Sequence, residues 1–189
     1  MRVLMLSSSR VGDEAYLDHA IPMINQHLAG ITDVLFVPFA GVSINWDDYT
    51  AKVQTALPQL KIIGLHQQTD AKKAIQSAPA ILVGGGNTFN LLHQLYEQDL
   101  LTIMQDSVKQ GVPYIGWSAG SNICGNSIRT TNDMPIIQPK SFAALNFVPF
   151  QINPHYTDYQ PPVPQWRNSR RTHSRVLCLK PHLIGNRYS

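Results

Sequence analysis

Cysteine is scarce, acidic residues vanish from one end of the chain, and no apolar run is long. Only two cysteines, Cys124 and Cys178, occur among 189 residues. They make neither a disulfide framework nor metal-type spacing, so no metal site is expected from them. The N-terminal stretch MRVLMLSSSRVGDEAY turns polar after a few apolar residues. That run is too short for a signal peptide and far too short to cross a bilayer. A reducing, cytoplasmic setting without membrane contact is therefore the expectation.

The charge is also uneven. No acidic residue follows Asp158, whereas 163–189 holds six basic ones: Arg167, Arg170, Arg171, Arg175, Lys180 and Arg187. Residues 1–162 carry nine basic against twelve acidic residues, a net charge of −3. Such a break can mark a nucleic-acid or membrane arm. It also divides the chain into a domain over 1–162 and an anomalous basic tail over 163–189.

What is present is a core. Hydrophobic residues make up 43% of the chain, enough for one globular domain. Short apolar runs over 2–8, 33–39, 61–66, 80–83 and 113–117 predict buried strands. Between them, 17–28, 46–57, 71–77, 88–97 and 100–110 predict helices. Ile21, Ile24 and Leu28 fall at helical spacing, as do Leu91, Leu92 and Leu95. Alternation of this kind predicts an α/β fold with a mostly parallel sheet covered on both faces. Ligands in such folds collect beyond the carboxyl ends of the strands.

Two motifs fall at those ends. Gly116-Trp117-Ser118-Ala119-Gly120 fits G-x-S-x-G, the turn that presents a serine nucleophile between a strand and a helix. The amide after the serine can then donate to an oxyanion. An ordinary strand-to-helix turn would carry the same residues, and both readings stand on the pentapeptide alone. Val83-Gly-Gly-Gly-Asn-Thr88 opens the helix at 88–97. It lacks the Lys-Ser/Thr of a P-loop and the glycine pattern of a dinucleotide site. Its exposed amides suit an oxyanion hole, and Asn87 or Thr88 suits a helix cap.

A serine nucleophile needs a base. Of seven histidines, His19, His27 and His93 fall within predicted helices, where packing or surface roles are expected. His173 and His182 lie in the basic tail. His66, at a strand end, stays a candidate. His155 sits on a proline-shaped loop that can hold an imidazole over a strand end. Asp133 lies between serine and histidine in the chain, giving the nucleophile–acid–base order of elbow hydrolases. Taken singly, Asp133 before Met134-Pro135 reads as a turn acid.

These segments resemble the peptidase E family of α-aspartyl dipeptidases. The matching pieces are Val37-Pro-Phe-Ala-Gly41, Trp46-Asp-Asp-Tyr-Thr50, Val83-Gly-Gly-Gly-Asn-Thr-Phe89, Ile115-Gly-Trp-Ser-Ala-Gly120, Ile128-Arg-Thr-Thr-Asn-Asp-Met-Pro135 and Gln151-Ile-Asn-Pro-His155. The resemblance implies a flavodoxin-like three-layer sandwich related to class I glutamine amidotransferases. It implies a serine exopeptidase that cleaves dipeptides with an N-terminal aspartate through an acyl-enzyme, without metal or cofactor. Carried over by motif, Ser118 is the expected nucleophile, His155 the base and Asp133 its acidic partner. The amides of Gly86 and Ala119 are the expected oxyanion donors. Small Asp-X peptides are the expected partners, and nucleic acid is not expected. No substrate-binding residue is assigned; Arg129 is the basic residue nearest the motifs. A cyanophycinase-like hydrolase and an inactive truncated homologue are the alternative functions.

The resemblance stops at Pro161-Pro162. Family members continue with a Gly-His-x-Gly-Glu-Thr-Arg loop, a helix and further strands. Here VPQWRNSRRTHSRVLCLKPHLIGNRYS follows. A one-base shift in codons for His-Asn-Gly-Glu-Thr-Arg can give Gln-Trp-Arg-Asn-Ser, so a tail read out of frame is the expectation. A basic arm in which Trp166 stacks on a base is the alternative.

Overall fold

The computed structural model describes residues 1–156 and the strand at 176–179. Five parallel strands form the centre of the sheet: β1 (Val3–Leu6), β2 (Asp33–Val37), β3 (Lys61–Gly64), β4 (Ile81–Val83) and β5 (Tyr114–Trp117). A sixth, β6 (Val176–Leu179), lies antiparallel against β1. The sheet order is β3-β2-β4-β5-β1-β6. Strand β1 thus pairs with β5 rather than with β2, and the first crossover passes across the sheet. Apart from the backbone of 176–179, the expected tail over 163–189 lies outside the described residues, and with it the reading-frame expectation.

The strands alternate strictly between two cores. Val3 and Met5 of β1, Leu35 and Val37 of β2, and Ile81 and Val83 of β4 face one side. Leu4 and Leu6, Val34 and Phe36, and Leu82 face the other. Both sides are apolar because both are covered, which is why these strands read as unbroken hydrophobic runs. The first face packs on α3 (Ala71–Ser77), α4 (Thr88–Glu97) and α5 (Leu101–Lys109) through Ile75, Leu91, Leu92, Leu95, Met104 and Val108. The second packs on α1 (Ile21–Leu28) and α2 (Trp46–Ala56) through Ile24, Leu28, Tyr49 and Val53. The expected three-layer α/β architecture is the one the chain adopts.

Capping explains the helix starts. Asn45, Asp70 and Asn87 accept from the third amide onward of α2, α3 and α4, at Asp48, Lys73 and Asn90. The expected helix over 17–28 begins differently. Leu17 is left-handed, a 3-10 turn follows over Asp18–Ala20, and Pro22 sits in the first turn of α1. Proline there removes an amide that would have no helical partner anyway. Beyond α6 (Ala119–Asn122), the described chain to residue 156 runs as turns and loops, with one isolated bridge between Ser127 and Ala143.

Candidate active site

Strand β5 delivers Ser118 to the carboxyl edge of the sheet. Its backbone there has φ 53° and ψ −113°, outside the regions that residues with a Cβ favour. The turn is held from both sides. Ser118 N donates to Leu6 O at 3.1 Å, and Ser118 O accepts from Ser121 N and Asn122 N at 2.9 Å each. The flanking glycines permit the close passage of chain. A Cβ on Gly116 would stand 2.4 Å from Gly120 O, and one on Gly120 would stand 2.3 Å from Val83 O.

His155 reaches the same point from the loop after Val148. Its Nε2 lies 2.7 Å from Ser118 Oγ. Its own amide donates to Ser7 Oγ at 2.9 Å, which pins the loop to the end of β1. Asn122 Nδ2 donates to Ile152 O at 2.9 Å, and Thr130 Oγ1 donates to the same carbonyl. Asn132 Nδ2 donates to Asn153 Oδ1 at 2.8 Å. The loop is therefore fastened at several points along its length, not only through the imidazole.

The glycine turn between β4 and α4 closes the third side. A Cβ on Gly85 would touch Ser118 Cβ at 3.0 Å, so the turn abuts the serine. Gly86 has φ 140°, and a Cβ there would collide with Ala40 O at 2.1 Å. Only glycine fits that position. Among the described residues, neither the Gly86 nor the Ala119 amide donates to a protein acceptor. Two free donors thus flank the serine.

A cavity of about 440 Å³ joins these groups, lined among others by Gly86, Ser118, Asp133 and His155. Tyr16, Tyr49 and Trp117 form one wall. Trp117 Nε1 donates to Tyr16 Oη at 2.9 Å, and Tyr49 Oη donates to Gly85 O at 2.9 Å. Lys52 Nζ stands 4.5 Å above the Tyr16 ring and also lines the cavity. The chain order of the motifs did not point to Tyr16, Tyr49 or Lys52. The Trp46-Asp-Asp-Tyr-Thr50 segment was the one signal that could have found Tyr49.

Asp133 is anchored at the start of α4. Its Oδ2 accepts from Thr88 N at 2.7 Å, Thr88 Oγ1 at 2.6 Å and Thr131 Oγ1 at 3.0 Å. The carboxylate sits at the first amide of α4, where the helix dipole favours negative charge. It still faces the cavity that holds Ser118 and His155.

The remaining candidates lie elsewhere. Arg129 lines a separate open depression with Asn126, Ser127, Gln138 and Gln151, not the serine cavity. His66 Nε2 lies 2.9 Å from Asp47 Oδ1. Hydrogen bonds from Gln67 and then His66 pull the Asp47 carboxyl below its ordinary range. Cys124 is buried, and burial pushes its thiol well above the ordinary range, so it has little thiolate character. Among the described residues no cluster of His, Cys, Asp or Glu could hold a metal, and no helix is long and apolar enough to cross a membrane.

Known proteins share this arrangement of sequence and fold. The family profile of peptidase family S51 matches residues 3–181. A Peptidase E from Shewanella oneidensis is 57% identical over 164 residues, covering 86% of this chain and 70% of that one. A Peptidase E from Shewanella baltica is 58% identical over 164 residues, covering 86% of this chain and 69% of that one. Among solved structures, a Listeria monocytogenes protein superposes with a TM-score of 0.65 at 24% identity, over 82% of this chain and 79% of that one. A peptidase from an acI-B1 actinobacterium superposes with a TM-score of 0.59 at 15% identity, over 81% and 67%. Those two share the fold; the profile and the closer relatives carry more. With its sheet, its elbow and a profile match over most of its length, the chain belongs to peptidase family S51, alongside the proteins named Peptidase E.

Proposed function

We propose that this peptidase is a serine exopeptidase that releases aspartate from the N-terminus of dipeptides through an acyl-enzyme. The observation that carries the reading is the 2.7 Å approach of His155 Nε2 to Ser118 Oγ, on a serine held in a strained turn. A nucleophile and base within hydrogen-bond reach are what acyl transfer requires. The aspartyl preference comes from the relatives named Peptidase E and from the motifs shared with them.

The reaction follows from that pair. His155 takes the Ser118 proton as Oγ attacks the scissile carbonyl carbon. The Gly86 and Ala119 amides receive the negative oxygen, each worth on the order of 3 kcal/mol in the transition state. His155 then passes its proton to the leaving amine, and the acyl-enzyme forms. Water, activated by the same imidazole, releases aspartate and restores the serine. Asp133, fixed by Thr88 and Thr131, contributes its negative charge to the cavity in which the imidazolium forms.

The test is hydrolysis of Asp-Leu by the whole chain, beside Ser118→Ala and His155→Ala. Each variant should lose at least about a thousandfold in kcat. Turnover that survives Ser118→Ala would remove the serine mechanism. A serine-directed fluorophosphonate that leaves Ser118 unlabelled in an inactive wild-type chain would make the protein a scaffold without this activity.

A further inference from the structure

We infer that Tyr49 is a positioning residue of the oxyanion site, holding through Gly85 O the peptide group whose N–H is the Gly86 donor. The inference rests on the reading of Ser118 and Gly86 given above. It assigns a task to the Trp46-Asp-Asp-Tyr-Thr50 segment, which the proposed mechanism leaves without one.

The carbonyl of Gly85 and the amide of Gly86 belong to one rigid plane. Whatever fixes the carbonyl therefore aims the N–H. Tyr49 Oη donates to that carbonyl at 2.9 Å. The main chain fastens the next peptide unit, where Asn87 N donates to Ala40 O at 2.8 Å, and the Val83–Gly84 unit two planes earlier, where Gly84 N donates to Val37 O at 3.1 Å. Between them, the Gly85–Gly86 plane has a side chain as its anchor. Two glycines in sequence would otherwise let that plane rotate at little cost.

The hydroxyl is itself oriented. Tyr49 is only 5% exposed, within the core between α2 and the sheet. An indole N–H can only donate, and Trp117 Nε1 lies 3.3 Å from Tyr49 Oη and 2.9 Å from Tyr16 Oη. Tyr16 Oη lies 3.2 Å from Tyr49 Oη. The tyrosine oxygen thus receives protons from the wall of the cavity and passes its own to Gly85 O. Chains of this polarity strengthen each successive bond, and a carbonyl that accepts makes its own N–H a better donor. Burial raises the Tyr49 hydroxyl's ionisation range, so it stays protonated as a donor. Gly84 makes room for the approach, since a Cβ there would lie 2.6 Å from Tyr49 Oη. The residue before the nucleophile, Trp117, is thereby wired to the opposite wall of the oxyanion site.

The experiment replaces Tyr49 with phenylalanine and measures Asp-Leu kinetics and inhibition by the boronic-acid analogue of aspartate. A tetrahedral boronate places an oxygen where the oxyanion forms. Tyr49→Phe should lower kcat by roughly 10- to 100-fold with KM within about threefold, and weaken boronate inhibition by the same factor as kcat/KM. A folded Tyr49→Phe protein with wild-type kcat overturns the inference. So does a kcat loss without a matching loss of boronate affinity. Should Tyr49→Phe fail to fold, 3-fluorotyrosine and 3,5-difluorotyrosine at position 49 keep the ring and grade the donor. A kcat that follows hydroxyl acidity supports the inference, and a kcat indifferent to it overturns it. Ser118→Ala separates the two levels. If it is inactive while Tyr49→Phe is normal, only the role of Tyr49 falls. If it is active, the serine reading falls and Tyr49's role with it.

Discussion

A serine at positive φ costs on the order of 1–3 kcal/mol, and the residues around Ser118 hold it there. Its amide is tied to β1, and its carbonyl to the amides of Ser121 and Asn122 in α6. Gly120 is intolerant of change, because the atom a side chain would meet is the Val83 carbonyl, not a movable side-chain tip. Gly120→Ala should lower the urea midpoint by an amount worth at least about 1–3 kcal/mol, the usual cost of overpacking. The glycine spacing around Ser118 was legible in the sequence, since the elbow needs small residues on either side. The bond pattern of Asp133 was not. Its partner Thr88 lies 45 residues away in the chain, and nothing in the local pattern brings the two together. The order serine, acid, histidine gives a sequence of roles, and the fold decides which atoms meet.

At the scale of elements, Asp133 serves the N-terminus of α4. Its carboxylate takes the Thr88 amide and hydroxyl, while Asn87 donates to Met134 O at 2.7 Å. The loop over 128–135 and the start of α4 therefore stand or fall together. Asp133→Ala should destabilise the protein by roughly 1–2 kcal/mol in urea denaturation, as loss of a helix-terminal acceptor does elsewhere. Asp133→Asn, which keeps one oxygen acceptor, should recover part of that loss. Strands and helices to α5 were legible because each buried run is bounded by a turn signal or a cap. The strand expected over 33–39 ends at Val37, since Pro38 lacks the amide to continue the ladder. The break of 17–28 into a 3-10 turn and α1 was hidden, because Leu17, Ile21, Ile24 and Leu28 keep near-helical spacing across the left-handed residue. Strand β6 was not legible, because its apolar run is only four residues long and lies between Arg175 and Lys180.

For the whole molecule, acid should weaken the fold before it touches the carboxylates. Burial, and after it the Arg2 guanidinium, pushes the His27 imidazole below its ordinary range. Burial does the same to His19. Each binds a proton less readily when folded than when unfolded, where the value is about 6.5. The unfolded chain therefore gains protons first as pH falls through about 6.5, and stability drops there. The melting temperature should be lower at pH 5.5 than at pH 7.5, and His27→Gln should flatten that slope. Asp47 acts in a separate, more acidic window, because its folded carboxyl is depressed and its contribution fades only as that group protonates. The sheet has a further effect on the reacting pair. Leu6 pairs with Trp117 as the last rung between β1 and β5, so Ser7 and Ser118 both follow directly on that rung. His155 hangs from Ser7 by its amide. A slip of one rung would displace the hydroxyl from the imidazole by about 3.3 Å, more than the whole gap now between them. Strand registration is thus the gauge that sets the reacting distance, and two neighbouring ribbons of backbone keep an adjustment that no side chain could make alone.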